Sequence, residues 1–543
     1  MKNIFILLLL FSQVSIGQRL KKQEKSVIDD LKTSINYLAS DQLEGRLTGS
    51  PGEKLAYEYI SDEFKKVGLI AKGNDNSYLQ PFTIEEGKEI LPSTHFIIND
   101  TDIEQNEFFP MAFSGNGDVK GNVSPSFQEK GMPWFLDLKE IIQENQNNPH
   151  FDLKTAIRNK AVDCKQKGAS ALIVYNTSES SEDLSFDGKS KTEIIDFPII
   201  YLKKDISKKY LSDKTANLNI DVKTDLGNKS RTGHNVIGYM DNGAAHTIII
   251  GAHYDHLGRG EEGGTLGGSK GEIYNGADDN ASGTAAVIEL AKYLKEAKLK
   301  NNNYLFICFS GEEEGLFGSK YFTNNPVVPL DQVNYMINFD MVGRLNDSSK
   351  LLTIGGFGTS PFWGKILPEK SKVINVKLDS SGIGPSDHTS FYLKDIPVLF
   401  FFTGSHKDYH KPTDDADKIN FIGELRVIQY VENILKETNS VEKLAFSKTR
   451  EPDMSTAHFT VTLGFMPDYT FQGSGVRADE IIEGKIARKA GMKAGDVIVK
   501  LGDYPVTDID NYMEALSKFK KGDSTNVTVL RGNERKSFNV EFQ

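Results

Sequence analysis

The sequence predicts an α/β chain: a mostly parallel mixed sheet flanked by helices, with an α+β, β-rich insert before it and a small β domain after it. Three observations support this. From Asn235 to about Val441 apolar strands alternate with helices, the pattern of a parallel sheet covered on both faces. Residues from about 86 to 228 change character to short β-like pieces with one amphipathic stretch near Thr155 to Lys167. Beyond a polar linker at 442–456, the chain returns to short strands with one clear helix, Ile509 to Phe519.

At 543 residues the chain exceeds one ordinary core, which argues for about two to four domains. Met1-Lys2-Asn3, the apolar run Ile4 to Phe11 and Ser15-Ile16-Gly17-Gln18 read as an export signal over 1–17, cut after Gly17. The apolar run is shorter than the about 20 residues a membrane-spanning helix needs, so no anchor is expected after cleavage and the mature chain is expected to be periplasmic or secreted. Residues 18–85 form the N-terminal part of the main domain. Ile28, Leu31, Ile35 and Leu38 share one helical face, a break falls at Gly49-Ser50-Pro51-Gly52, and a second helix runs from Ala56 to Val67. The insert spans 86–228 and includes the strands Ala171 to Tyr175 and Pro198 to Tyr201. The main domain resumes over 229–441 with strands Thr247 to Gly251, Tyr304 to Phe309, Val333 to Phe339 and Val398 to Phe402. Helices are expected from Ser282 to Lys298 and after Leu316. The last domain occupies 457–543.

Acidic side chains outnumber basic ones by 75 to 64, for a net charge of −11, and no basic patch stands out, which excludes nucleic acid as a partner. The two cysteines, Cys164 and Cys308, are too few for a disulfide framework, and Cys308 lies in an apolar run, so packing is their expected role.

The chemistry concentrates where strands end. His253 and Asp255 follow Ile248-Ile249-Ile250-Gly251-Ala252, on one side by the two-residue period of a strand. One can bind a metal while the other orients it, because a metal-bound imidazole normally donates its second ring N–H to a carboxylate, a natural role for Asp255. Asp278-Asp279-Asn280-Ala281-Ser282 precedes a helix, Glu312-Glu313-Glu314 follows the next strand, and Asp340 ends the one after. Singly, each reads equally well as a helix cap or a solvated first turn. Together with His410 in Asp408-Tyr409-His410, they form a set of imidazoles and carboxylates fit for two divalent ions sharing one carboxylate. Two such ions about 3.5–4 Å apart can activate a water and polarise a carbonyl, and a further carboxylate is then needed as base.

His253-Tyr254-Asp255, Gly276-Ala277-Asp278-Asp279-Asn280-Ala281-Ser282-Gly283, Glu312-Glu313-Glu314-Gly315, Phe339-Asp340-Met341 and Tyr409-His410 resemble the ordered motifs of the di-zinc leucyl-aminopeptidase-type metallopeptidases, relatives of glutamate carboxypeptidase and glutaminyl cyclase. Leu43-Glu44-Gly45-Arg46 and Thr48-Gly49-Ser50 are similar to that family's N-terminal signature. The resemblance implies a zinc-exopeptidase-like fold and two Zn2+ ions. In it Asp278 bridges both metals, His253 and Asp340 complete one site, and Glu313 and His410 complete the other. Glu312 is the implied general base, acting on a water between the metals. Asp255 lies behind the ligands, Asp279 shapes the loop behind the bridge, and His388 has a packing role. The implied activity is an aminopeptidase acting on peptide substrates, with a carboxypeptidase, a glutaminyl-cyclase-like enzyme or a non-catalytic peptide-binding scaffold as the alternatives.

The insert resembles a protease-associated domain, on Lys167-Gly168-Ala169-Ser170 before the strand Ala171 to Tyr175 and on Phe197-Pro198. The C-terminal segment resembles a PDZ domain, on Ala490-Gly491-Met492-Lys493-Ala494-Gly495-Asp496-Val497-Ile498. There Leu463-Gly464-Phe465 is the implied carboxylate-binding turn for a peptide C-terminus.

Overall fold

The computed structural model describes residues 20–543 apart from 147, 149–150, 179–183, 191, 270, 368–372, 450–460, 468–473, 482–483, 508, 533 and 543. The export signal expected over 1–17 lies outside the described residues. Among those that are described, no helix is long and apolar enough to cross a membrane. The chain divides into two compact units, one reaching Phe82 and resuming at Thr232, the other Thr83–Arg231.

The main sheet of the first unit runs, in order, Ile70–Ala71, Leu226–Met240, Asn303–Phe309, Thr247–His253, Val333–Phe339, Val398–Phe402, Leu351–Gly355 and Asn375–Leu378. The four central strands are mutually parallel. Antiparallel strands join on either side, Leu226–Met240 against Asn303–Phe309 and Leu351–Gly355 against Val398–Phe402, so the sheet is mixed as expected. Thr247–His253 extends two residues beyond the predicted strand, while Val333–Phe339 and Val398–Phe402 match their predicted bounds.

Both faces of this sheet are buried, which is why its central strands read as largely apolar runs without polar alternation. Ile248, Ile250, Phe306, Cys308 and Ile337 face one core with the helices Lys22–Leu38, Pro51–Val67, Gly283–Glu296 and Phe421–Thr438. Their neighbours Ile249, Leu305, Ile307, Phe309 and Met336 face a second core with Phe322 and Phe391, from the helices Phe317–Asn324 and His388–Tyr392. Cys164 and Cys308 are both buried and unpaired, in keeping with packing.

The Gly49-Ser50-Pro51-Gly52 segment is a helix start, not a break before one. Ser50 accepts the Glu53 N–H at 3.2 Å and Pro51 takes the first helical position, where its missing N–H costs nothing. Gly52 is required by close approach, since a Cβ there would lie 1.9 Å from the Leu43 carbonyl oxygen.

The second unit holds two four-stranded sheets. Along Ala171–Tyr175, residues 171, 173 and 175 pack into one core with Phe96, Ile200 and Ile220. Leu172 and Val174 pack oppositely, against Ile157, Ala161 and Cys164 of the helix Leu153–Lys167. The C-terminal segment forms a separate β-rich core around Leu463, Ile498, Leu501, Val527 and Val529.

Replacing Phe306, fully buried and 6.3 Å from the Phe64 ring, by Ala should cost about 3–5 kcal/mol. A urea unfolding curve with an unchanged midpoint would contradict this packing.

Candidate metal centre

Thr247–His253 is the point at which the sheet's connectivity reverses: the chain next adds Asn303–Phe309 on one side of it and then Val333–Phe339 on the other. Open α/β sheets place ligands at the carboxyl ends of strands beside such a point. In register, His253 lies opposite Phe309 and Ala252 opposite Phe339. His253, Glu312-Glu313 and Asp340 are thereby brought to one edge. Asn280 ties the fourth segment to this edge: its side chain donates to the Phe339 carbonyl at 2.9 Å and accepts the Met341 N–H at 3.2 Å.

The carboxylate at the centre belongs to Asp279. Its Oδ1 lies 3.4 Å from His253 Nε2 and its Oδ2 lies 3.1 Å from His410 Nε2. On the first side, Asp340 Oδ1 is 3.5 Å from His253 Nε2. On the second, Glu313 Oε2 is 3.1 Å from His410 Nε2. His410 Nδ1 faces the Gly264 carbonyl at 2.8 Å and His253 Nδ1 faces the Asp255 carbonyl at 3.2 Å. With those nitrogens held by carbonyls, each Nε2 is the ring atom turned toward the carboxylates.

This corrects the expectation for Asp278. Its fully buried carboxylate accepts the Gly343 N–H at 2.7 Å and the Ser282 hydroxyl at 3.1 Å, and its Oδ2 faces His406 Nε2 at 3.1 Å. The N–H groups of both residues converge on Asp414 Oδ2, at 2.9 and 3.0 Å, while their side chains serve different partners. Asp278 braces the loop, and Asp279 occupies the position between the imidazoles.

Asp255 also acts differently from expectation. Its carboxylate lies 3.7 Å from His253 Nδ1, farther than its own carbonyl, and accepts the N–H groups of Glu312 at 3.2 Å and Glu313 at 3.4 Å. It thus holds the strand-end turn that carries both glutamates. Glu312 belongs to neither ligand trio, and its Oε2 stands 3.9 Å from His253 Nε2.

The electrostatics follow from packing this many ionisable groups out of water. Burial opposes charge on His253, but the Glu312 and Asp340 carboxylates outweigh it and hold the imidazole well above its usual range. Burial opposes charge on Asp279 too, and its contacts with His253 and His410 carry it well below the usual carboxylate range. Burial pushes the Glu312 carboxyl well up, with Asp340 and Glu313 adding repulsion. The donor atoms of His253, Asp279 and Asp340 lie within 4.8 Å of one another, as do those of His256, Asp279 and Glu313. Two adjoining sets of imidazole nitrogens and carboxylate oxygens with one shared carboxylate fit zinc.

Residues 235–434 match the profile of peptidase family M28, and residues 456–542 match that of a PDZ domain. The middle of this chain is therefore similar to the M28 peptidases. Among curated relatives, aminopeptidase YwaD of Bacillus subtilis is 26% identical over 275 residues, 48% of this chain and 55% of the relative. Leupeptin-inactivating enzyme 1 of Streptomyces exfoliatus is 31% identical over 194 residues, 34% of this chain and 39% of the relative. The chain thus spans about half or less of the length of these relatives. A solved aminopeptidase from Aneurinibacillus sp. strain AM-1 aligns at 22% identity with a TM-score of 0.41, over 78% of this chain and 96% of that one.

Sequence reading missed His256, in the segment that matches the M28 profile. It is fully buried, with Nδ1 2.6 Å from Glu313 Oε1 and 4.0 Å from Asp279 Oδ2. Strand alternation assigns it to the face opposite His253, but the strand stops at His253, and beyond that point the period no longer applies. His388, given a packing role, is fully buried and stacks on Phe400 at 4.4 Å, and burial lowers its pKa to about 3. In the PDZ domain, Gly464 has a φ of 78° and its N–H donates to the Thr462 hydroxyl at 3.1 Å. Leu463 is fully buried and Phe465 packs edge-on against Tyr512.

Metal analysis separates the two adjacent aspartates. Asp279→Asn should abolish zinc binding, whereas Asp278→Asn, which alters a brace behind the ligands, should retain it with about 10–100-fold lower affinity. The reverse order would overturn the assignment.

Proposed function

We propose that this chain is an exported zinc aminopeptidase that removes the N-terminal residue of oligopeptides, with two zinc ions held by His253, Asp279, Asp340, Glu313 and His410. The observation that carries the reading is Glu312: a buried carboxyl beside both ligand sets, outside either trio, on a turn that Asp255 fixes. A metal-binding protein has no need of such a group; a hydrolase needs it as base. The aminopeptidase name of the Bacillus subtilis relative supports the same reaction.

Zinc, when bound, supplies Lewis acidity to the scissile carbonyl and lowers the pKa of water. The protein's own residues do the rest. Glu312 Oε takes a proton from the attacking water and delivers it to the leaving amine, a transfer favoured by a carboxyl whose pKa burial has raised. The hydrogen bonds from the Glu312 and Glu313 N–H groups to Asp255 keep base and ligand in fixed relation. A cleft of about 310 Å³ beside Glu313, lined by Leu47, His256, Leu257, Gly264, Glu262 and Glu314, gives peptide access to this end of the centre. The reading of residues 1–17 as an export signal supports an enzyme working outside the cytoplasm, and the resemblance of the C-terminal segment to a PDZ domain supports a docking strand for peptide C-termini.

Glu312→Gln should bind zinc like the parent yet lower kcat on aminoacyl-anilides by about 10²–10⁴-fold. Normal turnover by this variant would sink the mechanism. Chelation should abolish activity and zinc restore it. Efficient cleavage of N-acetylated peptides from their carboxyl end would replace the aminopeptidase reading with a carboxypeptidase.

A further inference from the structure

The lead-in segment Arg46–Glu53 carries more buried polar chemistry than a helix start requires. Arg46 is fully buried, and its acceptors are four main-chain carbonyls. Nε donates to Tyr254 O at 2.7 Å, Nη1 to Leu38 O at 2.5 Å and to Asn275 O at 2.6 Å, and Nη2 to Gly276 O at 3.0 Å. Tyr254 stands between His253 and Asp255, and Gly276 stands three residues before Asp279. One rigid, planar group therefore spans the strand end bearing the first imidazole and the loop bearing the shared carboxylate.

The same segment reaches the third loop through Thr48. Its hydroxyl donates to Asp255 Oδ2 at 3.2 Å and accepts the Gly311 N–H at 3.0 Å, immediately before Glu312. Glu53 Oε1 accepts from the Ser310 hydroxyl at 2.7 Å and the Tyr254 hydroxyl at 3.2 Å, which reinforces both attachments. The main chain docks as well, with Gly258 N–H donating to Gly45 O at 2.9 Å. Gly45 permits this approach: it has a φ of 74°, and a Cβ there would lie 2.3 Å from the Gly258 carbonyl oxygen.

The segments held in this way lie at or just past the ends of regular elements, where sheet hydrogen bonds run out. We propose that Arg46 and Thr48 are positioning residues that set the spacing of three ligand-bearing segments. This rests on the metal-centre reading above. Arginine suits the task because five donors in a fixed plane can engage several carbonyls at once, which the single ammonium of lysine cannot do in the same geometry. The acids around it, Asp255 and Asp279 among them, offset part of the burial that lowers its pKa to about 10.

The test uses full-length Arg46→Gln, Arg46→Lys, Thr48→Val and Ser50→Ala. Zinc affinity is read by competition with a chromophoric chelator, kcat and KM on aminoacyl-anilides at saturating zinc, and thermal unfolding in EDTA. Arg46→Gln and Thr48→Val should lose about 10–100-fold in zinc affinity, the range for partners that orient ligands, with kcat falling more than KM changes. Arg46→Lys should lie between them and the parent. Ser50→Ala, which removes only a helix cap, should lower the unfolding midpoint while zinc affinity and kcat stay at parental values. The proposal is overturned if Arg46→Gln and Thr48→Val match the parent in zinc affinity and kcat, or if Ser50→Ala loses zinc equally. Should Arg46→Gln fail to fold, Thr48→Val decides alone. A parent that binds no zinc overturns the metal-centre reading and this inference with it; a zinc-binding parent equalled by its variants overturns this inference only.

Discussion

The Asp279 carboxylate faces an imidazole with each of its oxygens, His253 at 3.4 Å and His410 at 3.1 Å, and the rest of the centre is arranged around keeping it there. Leaving one buried charge unpaired costs several kcal/mol, so a carboxylate in this position needs counter-charge on both sides and a backbone that cannot swing away. Asp414 supplies the second requirement by accepting the N–H groups of Asp278 and Asp279. Burial drives Asp414 itself up to about 6, with Asp278 adding repulsion, so the loop is held at an electrostatic cost carried partly by its neighbours.

The sheet makes this arrangement affordable. Apolar packing on both faces fixes the strands in register, and the reversal at Thr247–His253 puts three carboxyl ends side by side without any contribution from the ligands. The acids and imidazoles then sit on a rigid edge, where low dielectric strengthens their mutual interactions and lets modest displacements shift their proton affinities strongly. Positioning is divided between layers. Strands fix His253 and Asp340, Asp255 fixes the Glu312-Glu313 turn, and Arg46 with Thr48 ties those layers to the loop of Asp279.

The sequence was legible where chemistry repeats with the backbone period. Largely apolar runs such as Val333–Phe339, with Asn334 and Asn338 buried in it, and Val398–Phe402 revealed buried parallel strands because both faces are covered. Polar residues directly after such runs, His253 and Asp340 among them, stood out because a strand end at a sheet edge is where a functional side chain can be both fixed and reached. Legibility failed where the chain leaves regular structure. Asp278 and Asp279 are adjacent, the same residue type and both buried, and no local rule says which faces His253 and His410. His256 lay beyond the last residue to which alternation applied, and the Gly49-Ser50-Pro51-Gly52 segment read as a break because its glycine is demanded by Leu43, a contact made across a turn.

By itself, then, the sequence determined the class of the fold, the location of the centre at strand ends and the kinds of atoms it offers, because hydrophobic period and residue type are local properties. Only the tertiary structure decided that Asp279 is shared, that Asp255 supports the glutamates more closely than His253, and that Arg46 reaches loops 208 and 230 residues away. Those outcomes depend on side-chain direction outside strands and helices, which is set by hydrogen bonds to distant carbonyls and not by any neighbour in the chain.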